Sequence, residues 1–102
     1  MRFLLKISIP VEAGNAAAKK DGFKAVQLIL EKQKPEAAYF LPDGGKRTAI
    51  LIVNMEDASQ LAEISEQWYL ALNASVECTP VMLPGDLQKA GPALERAVKT
   101  FS

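Results

Sequence analysis

The order of hydrophobic periods along this chain constrains its fold more than any other feature. Phe3, Leu5, Ile7 and Ile9 alternate with Leu4, Lys6 and Ser8, the two-residue period of a strand, and Pro10 stops the run. A helical stretch follows over about residues 15–34, with Phe23, Val26 and Leu30 as its buried stripe and Ile29 at the edge. Gly22 divides it, because glycine inside a helix costs on the order of 1 kcal/mol against alanine. Pro35 forbids continuation. Residues 37–41 and 48–54 read as the second and third strands. Between them, Leu41-Pro42-Asp43-Gly44-Gly45-Lys46-Arg47 supplies the fixed and positive φ values of a hairpin turn. Asp57 reads as a helix N-cap with Gln60 as its capping-box partner. Leu61, Ile64, Trp68 and Leu72 recur at helical spacing, and Asn73 closes that helix. Residues 74–83 form a fourth strand that ends at Pro84-Gly85. Leu87, Leu94, Val98 and Phe101 then line one side of a helical tail, which Gly91-Pro92 splits in two.

Strand, helix, strand, strand, helix, strand is the split β-α-β order of a ferredoxin-like sandwich, an α+β fold with one antiparallel four-stranded sheet under two helices. Right-handed crossovers place the strands in the order fourth, first, third, second. The 102 residues make one domain, with an extra C-terminal helical tail over residues 83–102. A chain of this length holds a core without disulfide or metal staples. The fold hosts many activities, so the order by itself names no chemistry.

The helices cover one face of such a sheet, and a wet second face would be polar. It is not. Thr48-Ala49-Ile50-Leu51-Ile52-Val53-Asn54 is apolar on both faces, and Ala37, Ala38, Tyr39 and Phe40 leave no polar face either. Leaving such side chains exposed forgoes roughly 1.5–3 kcal/mol each. The expected cover is a second copy, sheet to sheet around a two-fold axis.

Twelve basic and twelve acidic residues give zero net charge, and the chain has no histidine. No basic excess marks a nucleic-acid partner. Lys6 and Pro10 break the N-terminal apolar run too early for a signal peptide, and no run approaches the roughly twenty residues of a membrane span. The single cysteine, Cys78, excludes an internal disulfide and fits a reducing cytoplasm. It alternates with Val76 as a small hydrophobe. Without histidine, Cys-His and Ser-His-Asp nucleophiles are excluded. No carboxylates cluster at metal-ligand spacing, so neither metal nor cofactor is expected. Gly44-Gly45-Lys46-Arg47 fails as a phosphate loop, because Phe40 and Arg47 stand where Gly and Ser or Thr belong. It reads as a turn with two exposed cations.

The element order, the doubly apolar sheet and the tail after Pro84-Gly85-Asp86-Leu87 resemble the dimeric α/β-barrel superfamily. That group includes muconolactone isomerase-like proteins and cofactor-independent monooxygenases of antibiotic biosynthesis. Pro35-Glu36-Ala37-Ala38-Tyr39-Phe40, Asn73-Ala74-Ser75-Val76-Glu77 and Pro80-Val81-Met82 look most like its small uncharacterised bacterial members. The resemblance spans nearly the whole chain and implies a dimeric α/β barrel. It carries no catalytic motif over.

Two groups of residues are site candidates. Lys6 and Glu77 fall on facing positions of the first and fourth strands, where a half-buried pair would act as an acid-base couple. A plain cross-strand ion pair is the favoured reading. Tyr39, Asn54, Trp68, Tyr69 and Thr79 are candidates to line a ligand pocket. Asn, Tyr and Trp hold polyphenols in the superfamily's monooxygenases, so the resemblance is one of residue type. Trp68 continues the Leu61-Ile64 stripe and reads first as core, which leaves Tyr69 as the better pocket residue. The leading expectation is a cytoplasmic homodimer, formed through the open sheet face, that binds a small, largely apolar molecule. The alternatives are a cofactor-independent isomerase or monooxygenase-like enzyme, and a protein-interaction module built on the tail.

Overall fold

A computed structural model describes residues 1–102. Strands β1 (Arg2–Ile9), β2 (Ala37–Asp43), β3 (Lys46–Asn54) and β4 (Ser75–Pro80) form one antiparallel sheet in the order β2-β3-β1-β4. Helices α1 (Val11–Asp21) and α2 (Lys24–Gln33) make the first crossover and α3 (Ser59–Leu72) the second. Helices α4 (Pro84–Lys89) and α5 (Gly91–Phe101) follow β4. This is the ferredoxin-like α+β arrangement, with the strand order that right-handed crossovers require.

Several boundaries differ from the sequence reading. The first helix begins at Val11 rather than near Asn15, because Pro10, at φ −57°, leads straight into it and Glu12 favours the positive N-terminal end. Gly22 and Phe23 then turn the chain with φ of 66° and 65°. The buried side of α2 is Val26 and Ile29, with Phe23 and Leu30 only half-buried, so the stripe is rotated toward Ile29. The hairpin strands extend until only Gly44 and Gly45 remain between them, at φ 59° and 77°. Positive φ at both central positions is the turn whose twist matches that of paired strands. The fourth strand stops at Pro80, short of residue 83.

At the start of α3, Gln60 Oε1 accepts the Asp57 and Glu56 backbone N–H groups, while the Asp57 carboxylate accepts the Ser59 N–H and hydroxyl, each at 2.8 Å. Asp57 and Gln60 thus share the capping role, with the carboxylate bonded to Ser59 rather than to the residue three along. The Ser59 backbone N–H, and then its hydroxyl, hold the Asp57 carboxyl below the usual carboxylate range. A depressed native pKa contributes stability that is complete above the unfolded pKa and is lost as pH falls through the native one. Asp57→Ala is therefore expected to lower the thermal midpoint at neutral pH, and its gap to the parent to close on acidification. A gap that stays constant into acid would assign the loss to something other than these hydrogen bonds.

Core side chains project from one sheet face: Leu5, Ile7 and Ile9 of β1, and Ala49, Leu51 and Val53 of β3. Val26, Ile29, Trp68 and Leu72 close over them from the helices. The opposite face carries no helix. Its cross-strand rows run Ala37, Ile52, Leu4, Thr79; Tyr39, Ile50, Lys6, Glu77; and Leu41, Thr48, Ser8, Ser75. The β2 side of that face is apolar and the β4 side polar.

The tail stands away from this sandwich. The molecule measures 59 × 28 × 19 Å with a radius of gyration of 17.4 Å, against roughly 13 Å for a compact chain of 100 residues. Every residue from Pro92 to Ser102 is exposed. Leu94, Val98 and Phe101 nonetheless share one side of α5, opposite Arg96 and Lys99, the pattern of a helix that covers something apolar.

Candidate functional site

The main cleft lies on the helix-bearing side of the sheet, at the hairpin end. Phe40 and Pro42 of β2 point to the same side as the core residues Ile7 and Ile9, but the helices pack over β1, β3 and β4 and stop short of them. Phe40 is 57% exposed as a result. The space left is an open cleft of about 720 Å³, inside the range of small-molecule sites. Ile9, Val11, Phe23, Val26, Phe40 and Leu41 supply its apolar lining, and Lys46 and Arg47 its charges. Those two cations are its only ionisable groups.

Local backbone chemistry shapes the cleft. Phe23 sits in the left-handed region at φ 65°, a conformation that costs a residue with a Cβ roughly 1–2 kcal/mol. Its N–H still reaches Ala17 O and its carbonyl accepts from Val26 and Gln27, so the kink between α1 and α2 is hydrogen-bonded throughout. The kink sets the Phe23 ring beneath the Arg47 guanidinium, 5.4 Å from the ring centre. Arg47 Nη1 donates to Asn15 Oδ1 at 3.0 Å. Gly14 makes room for this contact, since a Cβ there would stand 2.8 Å from that nitrogen.

The residues expected from sequence are spread over the molecule. Trp68 is wholly buried in the core, with its Nε1–H on Gln33 Oε1 at 3.2 Å, and lines no cleft. Packing on the first helical pair encloses it, so its pocket assignment is corrected to core. Tyr69 is 40% exposed on the outside of α3, away from the main cleft. Tyr39 and Thr79 lie in different rows of the open sheet face, near opposite edges. Asn54 ends β3, where its amide donates to Glu36 and accepts from the chain's amino group. These five do not converge on one cavity.

Lys6 and Glu77 do stand in register across β1 and β4. The Lys6 ammonium, however, pairs with Asp43 at the hairpin. The Asp43 hydrogen bond and charge, and more weakly the Glu77 charge, hold it above the usual lysine range. A lysine kept protonated in this way is no general base at neutral pH. Both residues border a small polar recess of about 250 Å³ that also includes Ser8, Lys46 and Ser75. Burial pushes the Cys78 thiol up, which keeps it in the unreactive form.

Sequence reasoning missed the main cleft. Phe40 appeared only as one of a run of apolar strand residues, Phe23 as core and Arg47 as a solvated turn cation. The available signal was parity. Phe40 shares the face of core residues two strands away, on an edge strand that two short helices do not reach.

A family model described as a domain of unknown function, DUF3303, matches residues 1–95. Among solved structures, a formyltetrahydrofolate deformylase from Pseudomonas putida is similar, at 17% identity and a TM-score of 0.49, over 79% of this chain and 29% of that one. The chain therefore corresponds to less than a third of that enzyme's length. No curated protein matches. No helix is long and apolar enough to cross a membrane.

Proposed function

We propose that this chain, which belongs to the DUF3303 family of domains of unknown function, is a homodimeric α/β-barrel protein that binds a small, largely apolar molecule in the cleft between its sheet and its first helical pair. The cleft carries the reading: about 720 Å³ of open space walled by Ile9, Val11, Phe23, Val26 and Phe40. Phe23 keeps a costly backbone conformation beside it, a kind of strain that clusters at ligand sites. The lining brings no carboxylate, thiol or phenol together with Lys46 and Arg47, so the function proposed is binding rather than turnover.

The second copy is supported by the apolar half of the open face, where Tyr39 is 64% exposed. The exposed stripe of α5 supports it as well, since a detached amphipathic helix needs a partner and the same apolar surface recurs on every copy.

Titration with the neutral naphthalene fluorophore Prodan tests the cleft. Blue-shifted emission saturating at one probe per chain is expected, with binding at least tenfold weaker in Phe40→Asp. The Phe40 ring is more than half exposed, so the substitution leaves the core intact. Equal binding by parent and variant would place the probe elsewhere and remove the cleft from the proposal.

A further inference from the structure

Resting on that cleft reading, we propose that its ligand is an amphipathic carboxylate, whose apolar body lies against Phe23, Val26 and Phe40 and whose carboxylate is held by Arg47. The charge distribution points that way. Acids and bases balance over the whole chain, yet two cations and no carboxylate line this cleft. Acidic side chains take up both cations of β1: Glu36 pairs with Arg2 and Asp43 with Lys6. Arg47 has no carboxylate partner.

Its guanidinium is nonetheless held in place. The Phe23 ring supports one face, Asn15 takes one Nη1 hydrogen, and the absent side chain at Gly14 lets it approach the helix. A guanidinium has five N–H donors, and the Asn15 bond uses one. The remaining fork suits the two oxygens of a carboxylate. Arg47 lies on the helix-facing side of β3, in register with Ile9 and Pro42, so its exposed side chain stands at the edge of the apolar lining. Charge-assisted bonds of this kind are roughly twice as strong as neutral ones. A neutral apolar molecule would fill the cleft and leave this cation unused.

The test compares 2-naphthoate with 2-naphthamide, which share an apolar body and differ in charge, by calorimetric titration of the parent chain, Arg47→Gln and Arg47→Lys. In the parent, naphthoate is expected to bind at least tenfold more tightly. In Arg47→Gln the two are expected to bind within twofold of each other. Arg47→Lys should restore part of the preference, because a lysine supplies the charge without the fork. Equal binding of both probes to the parent, abolished by Phe40→Asp, would overturn the carboxylate assignment and leave the cleft. Binding of neither probe would overturn both. A naphthoate preference that survives in Arg47→Gln would overturn the role of Arg47.

Discussion

Truncating Trp68 to alanine is expected to destabilise the chain by about 3–5 kcal/mol, the loss typical of a large aromatic deleted from a packed core. The ring is wholly buried among β1, β3 and the helices, so no solvent fills the space it leaves. The substitution also takes a partner from Gln33. That amide accepts from Trp68 Nε1 and donates to Ile64 O at 3.0 Å and Gln67 Oε1 at 3.2 Å, which ties α2 to α3. Domains of this size are stable by only about 5–15 kcal/mol, so the variant sits near its unfolding threshold. Urea titration followed by far-UV circular dichroism measures the shift, with an unchanged slope expected if the native surface is the same. Trp68→Phe keeps most of the volume but no N–H, and should cost less than the alanine. A loss under about 1 kcal/mol for Trp68→Ala would contradict the fully packed position.

The contrast between Trp68 and Phe40 shows what sequence can report. Trp68 recurs at helical spacing with Leu61, Ile64 and Leu72, so its place in the core was legible from period alone. The strand order followed from two crossovers and one hairpin, since handedness leaves a single arrangement. Phe40 also obeys the strand period, but period does not say how far a helix extends across a sheet. That depends on tertiary packing: α2, set off from α1 by the kink at Gly22 and Phe23, packs on α1 and α3 rather than on the edge strand.

The Lys6 candidate shows a second limit. Register placed it opposite Glu77, as expected, yet a lysine side chain reaches several neighbours, and Asp43 of the hairpin takes its charge. Such choices among neighbours are made in three dimensions. The same holds for Arg47, whose position depends on Asn15, Gly14 and Phe23, all distant from it in sequence.

Replacing Ile52 with glutamate is expected to convert the proposed dimer to monomer, with the dissociation constant raised by about a hundredfold or more. Ile52 lies on the open face between Ala37 and Leu4, a row with no charge to receive a new carboxylate. Within one chain the change is mild, because Ile52 is only half-buried and its face bears no helix. In a two-fold dimer the same change occurs twice, and each carboxylate is pressed against an apolar partner surface. A hundredfold corresponds to about 2.7 kcal/mol, which two desolvated carboxylates readily supply. Ile50 would be a weaker probe, since the positive charge of Lys6 stands directly beside it and would offset part of the cost of an introduced acid. Native mass spectrometry and sedimentation at micromolar concentration read the outcome, with circular dichroism confirming that the variant is folded. A parent chain that is monomeric under these conditions, or a variant as dimeric as the parent, would remove the open face as the interface. The cleft would be unaffected by either result, because Phe40 and Ile52 lie on opposite sides of the sheet.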